Sequence, residues 1–121
     1  MSTNLRYGVY SERAVQLIAG SFGVAAGAIK DVRGQGFTVA YEGVGKYLVT
    51  FDKTFPEALS VQVSLMTSLT AGIDQFCQVY SKVGGSLHIR LWDVSALALA
   101  DPGTGSDDRI HFLVVTKSSS V

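Results

Sequence analysis

The sequence predicts an all-β protein, a single-domain antiparallel β-sandwich of jelly-roll-like type with a glycine-rich N-terminal arm. Three observations predict it. From residue 37 onward apolar residues recur with a period of two in several separate runs, the mark of half-buried strands. Turn-forming residues fall between consecutive runs, where hairpins need them. The runs are also short and about 8 to 15 residues apart, a spacing that suits sandwiches and barrels better than α/β units.

The first 36 residues fit this grammar least. Glycines at 8, 20, 23, 27, 34 and 36 weaken any helix, and the apolar residues keep no clean period. Short strands are expected near 5 to 10 and 28 to 33, and "ERAVQLIA" at 12 to 19 fits a brief helix. The stretch "AVQLIAGSFGVAAGAI" at 14 to 29 imitates a secretory signal, but Gln16, Ser21 and its glycines dilute it. It is also too short to span a bilayer. So weak a period suits an arm or extension ahead of the sandwich.

The strands after that follow in order. Phe37, Val39 and Tyr41 alternate against Thr38, Ala40 and Glu42, and Tyr47, Val49 and Phe51 repeat the pattern after "EGVG" at 42 to 45. That makes a hairpin. "DKTFPE" at 52 to 57 is a connection, because its proline cannot donate to a ladder. Val61, Val63 and Leu65 form the next buried set. "DQFCQVYSK" at 74 to 82 is extended by composition with both faces mixed, so its orientation stays open. "KVGG" at 82 to 85 turns the chain into Leu87, Ile89 and Leu91, "DPGTGSDD" at 101 to 108 is a loop, and Ile110, Phe112 and Val114 close the series.

Composition narrows the function. The chain has 121 residues, enough for one domain that buries about two thirds of its unfolded surface. Ten basic and ten acidic residues cancel, with a pI near 6.7, so no global field attracts nucleic acid or an anionic membrane. Charged residues are 17% against 47% apolar, a low charge density that points to surface buried against other chains. Cys77 is the only cysteine, which rules out an intrachain disulfide and fits a protein made in a reducing cytoplasm.

Motifs of binding chemistry fail on inspection. "AYEGVGKY" resembles a phosphate-binding loop, but Ala40 stands where the first glycine belongs, Tyr47 follows the lysine, and a strand follows where a helix is needed. Gly103, Gly105 and Asp107 match one copy of a calcium β-roll repeat, yet Arg109 occupies the position of its next apolar residue. Asp101, Asp107 and Asp108 remain the only carboxylate cluster that warrants a metal titration. His88, His111 and Cys77 are the only easily titrating or attacking groups, all on predicted strands and in no catalytic pattern. No catalytic, cofactor-binding or metal residue is assigned, and no enzymatic activity is expected.

Two surface features stand out instead. His88, Arg90 and Trp92 share the strand face opposite Leu87, Ile89 and Leu91, with the arginine and aromatic composition of interface anchors. They form either a subunit contact or a second half-buried face of the same domain. "FLVV" at 112 to 115 is apolar on both sides, so Leu113 and Val115 need cover from a central position or from another subunit. These five residues are the candidate interface.

The strand order also resembles a known group. "DVRGQGFTVAYEGVGKYLVTFDKTFP" at 31 to 56, "DQFCQVY" at 74 to 80, "LHIRLWD" at 87 to 93 and "RIHFLVV" at 109 to 115 resemble small virion proteins of tailed bacteriophages. The resemblance covers about residues 28 to 121. It implies a non-enzymatic structural protein, a capsid decoration or cement protein on the head shell, homotrimeric and bound to the major capsid protein. The N-terminal 27 residues depart from that pattern and are expected to lie as an arm over a neighbouring subunit or the shell. The alternative is a tail or fibre tip that contacts the host through the loops at 42 to 45, 82 to 85 and 101 to 108.

Overall fold

Residues 15–53, 58–67, 74–83 and 85–117 are described by a computed structural model, and among them there is no helix. In chain order the strands are β1 (Val15–Ala25), β2 (Ala28–Gly34), β3 (Phe37–Gly43), β4 (Lys46–Phe51), β5 (Ala58–Met66), β6 (Gln75–Val83), β7 (Ser86–Asp93), β8 (Ala98–Leu99) and β9 (Arg109–Lys117). They form two antiparallel sheets. Sheet A runs β2-β1-β9-β5, and sheet B runs β3-β4-β7-β6 with the short β8 beside β7. The antiparallel sandwich expected from the period-two runs is what the chain adopts.

The alternation determines the core. Ile18, Phe22 and Val24 on β1, with Ile110, Phe112 and Val114 on β9, point from sheet A toward Tyr47, Val49, Leu87, Ile89 and Leu91 on sheet B. Each such side chain, fully buried, stabilises the fold by about 1.5–3 kcal/mol. Two edge-to-face ring pairs join the layers: Phe22 with Tyr47, centroids 5.5 Å apart, and Phe37 with Phe112 at 4.8 Å. Val61, Val63 and Leu65 of β5 pack on the margin of this core.

The two hairpins appear where turn chemistry places them. Val39 pairs with Val49 and Gly43 with Lys46 across the turn between β3 and β4, and Val83 pairs with Ser86 between β6 and β7. The expected strand at 28 to 33 is β2, and "DPGTGSDD" is the loop into β9. "DKTFPE" leads from sheet B toward sheet A, its residues 54–57 lying outside the described ones. β6 resolves the open orientation: Cys77 and Val79 face the core, while Phe76, Gln78 and Tyr80 face outward.

The N-terminal third requires two corrections. Residues 15 to 19, given to a brief helix, are strand, and alternate as one, with Ile18 5% exposed and Leu17 64%. Nor do residues 15 to 27 belong to an arm. β1 is an interior strand, paired along its length with β9 from Val15↔Lys117 to Phe22↔Ile110 and with β2 on its other side. The sandwich thus extends to residue 15 rather than starting at 28. The strand expected near 5 to 10 and the rest of the arm fall outside the described residues.

Gly20 shows why the glycines misled. A β-carbon there would lie 2.3 Å from the Phe37 ring and 2.8 Å from that of Phe112, so the glycine makes room for the Phe37–Phe112 pair. A residue that reads as a helix breaker serves here as a packing residue.

On the outer side of sheet A an arginine is buried. Arg109 is 1% exposed; its Nε and Nη2 donate to Ser21 Oγ at 3.1 and 2.9 Å, and Nη2 also donates to the Asp31 carbonyl. Asp31 takes a left-handed backbone conformation, φ 50°, at this contact.

Candidate interaction face

The end of the sandwich that carries the "EGVG" turn is organised around one carboxylate. Asp101 Oδ1 accepts hydrogen bonds from the Gly45 N–H at 2.9 Å and the Tyr47 hydroxyl at 2.7 Å, and Oδ2 accepts from the Tyr41 hydroxyl at 2.8 Å. Gln75 Nε2 donates to the Asp101 carbonyl at 2.9 Å. Gly45 must be glycine here, since φ is 70° and a β-carbon would meet the Leu91 carbonyl at 2.7 Å. Burial, reinforced by the bond to Asp101, pushes the Tyr47 hydroxyl pKa far up, so this tyrosine stays neutral. The turn that resembles a phosphate loop thus holds an internal anion.

Two of the three carboxylates put forward for metal titration are engaged elsewhere, and the third, Asp107, is exposed. Asp101 serves the two tyrosines, and Asp108, 3% exposed, accepts the Gly105 N–H at 3.0 Å. Among the described residues no group of three His, Cys, Asp or Glu side chains is placed to hold a metal.

The other candidate chemistry is dispersed. Cys77 packs inward against the core, and desolvation pushes its thiol up to about 12. His88 lies on the outer face of sheet B and His111 on that of sheet A, so the three groups share no site. The recognition-tip loops are likewise divided. The turn at 42–45 and the loop after Asp101 meet at one end, while Gly85 lies at the other, its carbonyl accepting from Phe51 N–H.

His88, Arg90 and Trp92 do fall together, half-buried on the outer face of β7. The arginine guanidinium lies 3.4 Å over the Tyr80 ring, and the Trp92 indole N–H donates to Gln78 Oε1 at 2.7 Å. Lys46 is the cross-strand partner of Arg90. His88 Nδ1 sits 3.5 Å from Glu42 Oε1. Between these side chains opens a cleft of about 370 Å³ lined by Glu42, Lys46, Tyr80, His88 and Arg90.

Leu113 and Val115 are not part of that face. They lie half-buried on the outer side of β9, in the middle of sheet A, so the five candidate interface residues divide between opposite sides of the sandwich.

Next to the cleft, further along β6 and β7, is an apolar hollow of about 230 Å³ formed by Phe76, Trp92, Val94 and Leu97. Phe76 is 47% and Leu97 84% exposed. Asp93 stiffens the turn at its rim by accepting from the Ser95 hydroxyl and from the Ser95 and Ala96 N–H groups. Those bonds, the hydroxyl first, hold its carboxyl below the usual range.

No family model, characterised protein or solved structure matches the chain. The outer face of sheet B therefore stands on its geometry alone. Sequence reading found its β7 stripe but not Lys46, Tyr80 or the Phe76–Leu97 hollow, because these join it only through strand register and the bend at residues 94 to 97.

Proposed function

We propose that this protein is a non-enzymatic structural subunit of a tailed-bacteriophage particle, a capsid decoration or cement protein that binds the major capsid protein and stabilises the head shell as a homotrimer. The observation that carries the reading is the outer face of sheet B. There Phe76, Tyr80 and Leu97 stand in water beside a ring-stacked arginine and a half-buried tryptophan. Exposed aromatic and aliphatic groups clustered with arginine are the makings of a contact with another chain. The virion-like strand strings in the sequence support the particle as its setting.

Purified virions separated on a stained gel test this. A decoration protein is expected at a copy number comparable to that of the shell protein. A trace band, as for a tail tip, or no band would overturn it.

A further inference from the structure

We infer that the Lys46–Arg90 cleft is a receptor for a carboxylate side chain on a partner protein. The adjoining hollow takes an apolar side chain two residues along the same extended, acidic segment. This deepens the proposed function, resting on the reading that this face is an interface.

Charge is the first ground. Lys46 and Arg90 are cross-strand neighbours, and among the described residues neither lies within 4.0 Å of a carboxylate; the one acidic group in the cleft, Glu42, faces His88. Two cations side by side repel until an anion is shared between them. Preorganisation is the second ground. Tyr80 backs the guanidinium from one side at 3.4 Å, so less rotamer freedom is left to lose when a carboxylate accepts its N–H groups.

Spacing is the third. Arg90 and Trp92 are two residues apart on one face of β7, about 7 Å along a strand, and an extended peptide repeats its side chains at the same interval. A segment with an acidic residue at one position and an apolar residue two further on reaches both the cleft and the Trp92 hollow. One Tyr80 face is taken by Arg90 and the Trp92 N–H by Gln78, which leaves less for a sugar ring to stack on and bond.

The test titrates the full-length protein with the blocked peptide Ser-Glu-Ser-Leu-Ser, following the Arg90 Nε–H and Trp92 indole N–H signals by NMR. Both are expected to shift, and the binding to weaken with added salt. Replacing glutamate by glutamine in the peptide, or making Lys46→Gln or Arg90→Gln, is expected to weaken binding about tenfold, the scale of one lost hydrogen bond to a charged group. Lys46→Gln keeps the test sound if loss of the Tyr80 stack perturbs the fold.

Absence of shifts up to ~5 mM peptide, affinities too weak to matter at an interface, overturns the inference. Equal binding of the glutamine peptide also overturns it, as does unchanged binding by both variants or stronger binding of glucuronic acid in the same cleft. Failure of the structural-subunit reading shows separately, as absence of the protein from virions while the peptide still binds.

Discussion

The Tyr47 hydroxyl, on a side chain 1% exposed, donates to Asp101 Oδ1 across 2.7 Å and joins residues 54 positions apart. The same oxygen satisfies the Gly45 N–H. Asp101→Ala leaves both donors without their acceptor, and a destabilisation of about 2–4 kcal/mol is expected, since each unsatisfied buried group costs about 1–3 kcal/mol. Tyr41→Phe removes only the outer bond and should cost less. Urea unfolding of the two variants beside the parent checks the order.

Stability should fall at alkaline pH. The Cys77 thiol ionises near 9.0 when unfolded and near 12 in the fold, so the folded state keeps a proton that the unfolded state releases. Its contribution is complete below pH 9 and declines as pH rises toward 12, by up to about 1.4 kcal/mol per unit. Tyr47, also raised, adds a decline that starts above 10. Urea midpoints measured across this window should drop steadily, and Cys77→Ser should flatten the fall that begins at 9. A curve identical to the parent's would refute the assignment.

Gly20→Ala places a methyl group against the Phe37 and Phe112 rings. A loss of about 1–3 kcal/mol is expected from overpacking. The readout is the thermal midpoint together with the ring-proton NMR signals of both phenylalanines. Gly36→Ala is a useful contrast because a β-carbon there meets nothing within 4 Å, leaving only the strain of its φ of 91°.

The candidate interface residues lie on opposite sides of the sandwich, so the two sets can be tested separately. Light scattering of the parent is expected to give about three times 12.9 kDa. Arg90→Glu and Trp92→Ala should lower that mass if sheet B forms the contact, with Leu113→Glu and Val115→Glu leaving it unchanged. The reverse pattern would move the contact to sheet A.

Much of the fold was legible because a strand with one buried face writes itself as alternation. Phe37, Val39 and Tyr41 could be read locally, as could Leu87, Ile89 and Leu91. β1 could not, since Gly20, Ser21 and Gly23 obscure its period and only the rings of Phe37 and Phe112 explain Gly20. The candidate face was half legible for a related reason. His88, Arg90 and Trp92 lie on one strand, but Lys46 joins Arg90 through pairing and Tyr80 through a stack. The aspartates read as a metal candidate gave no sign that one of them, Asp101, serves two tyrosines of the β3–β4 hairpin.

The pairing of β1 with β9 also bears on how the molecule comes together. Val15 opposite Lys117 means that an interior ladder of sheet A joins the two ends of the described chain. Closing so long a loop is entropically costly, so this ladder is expected to form slowly. A circular permutant that links residue 117 to residue 15 through a short flexible connector and opens the exposed bend at 94 to 97 would make that ladder local. It is expected to refold faster than the parent with the same two sheets.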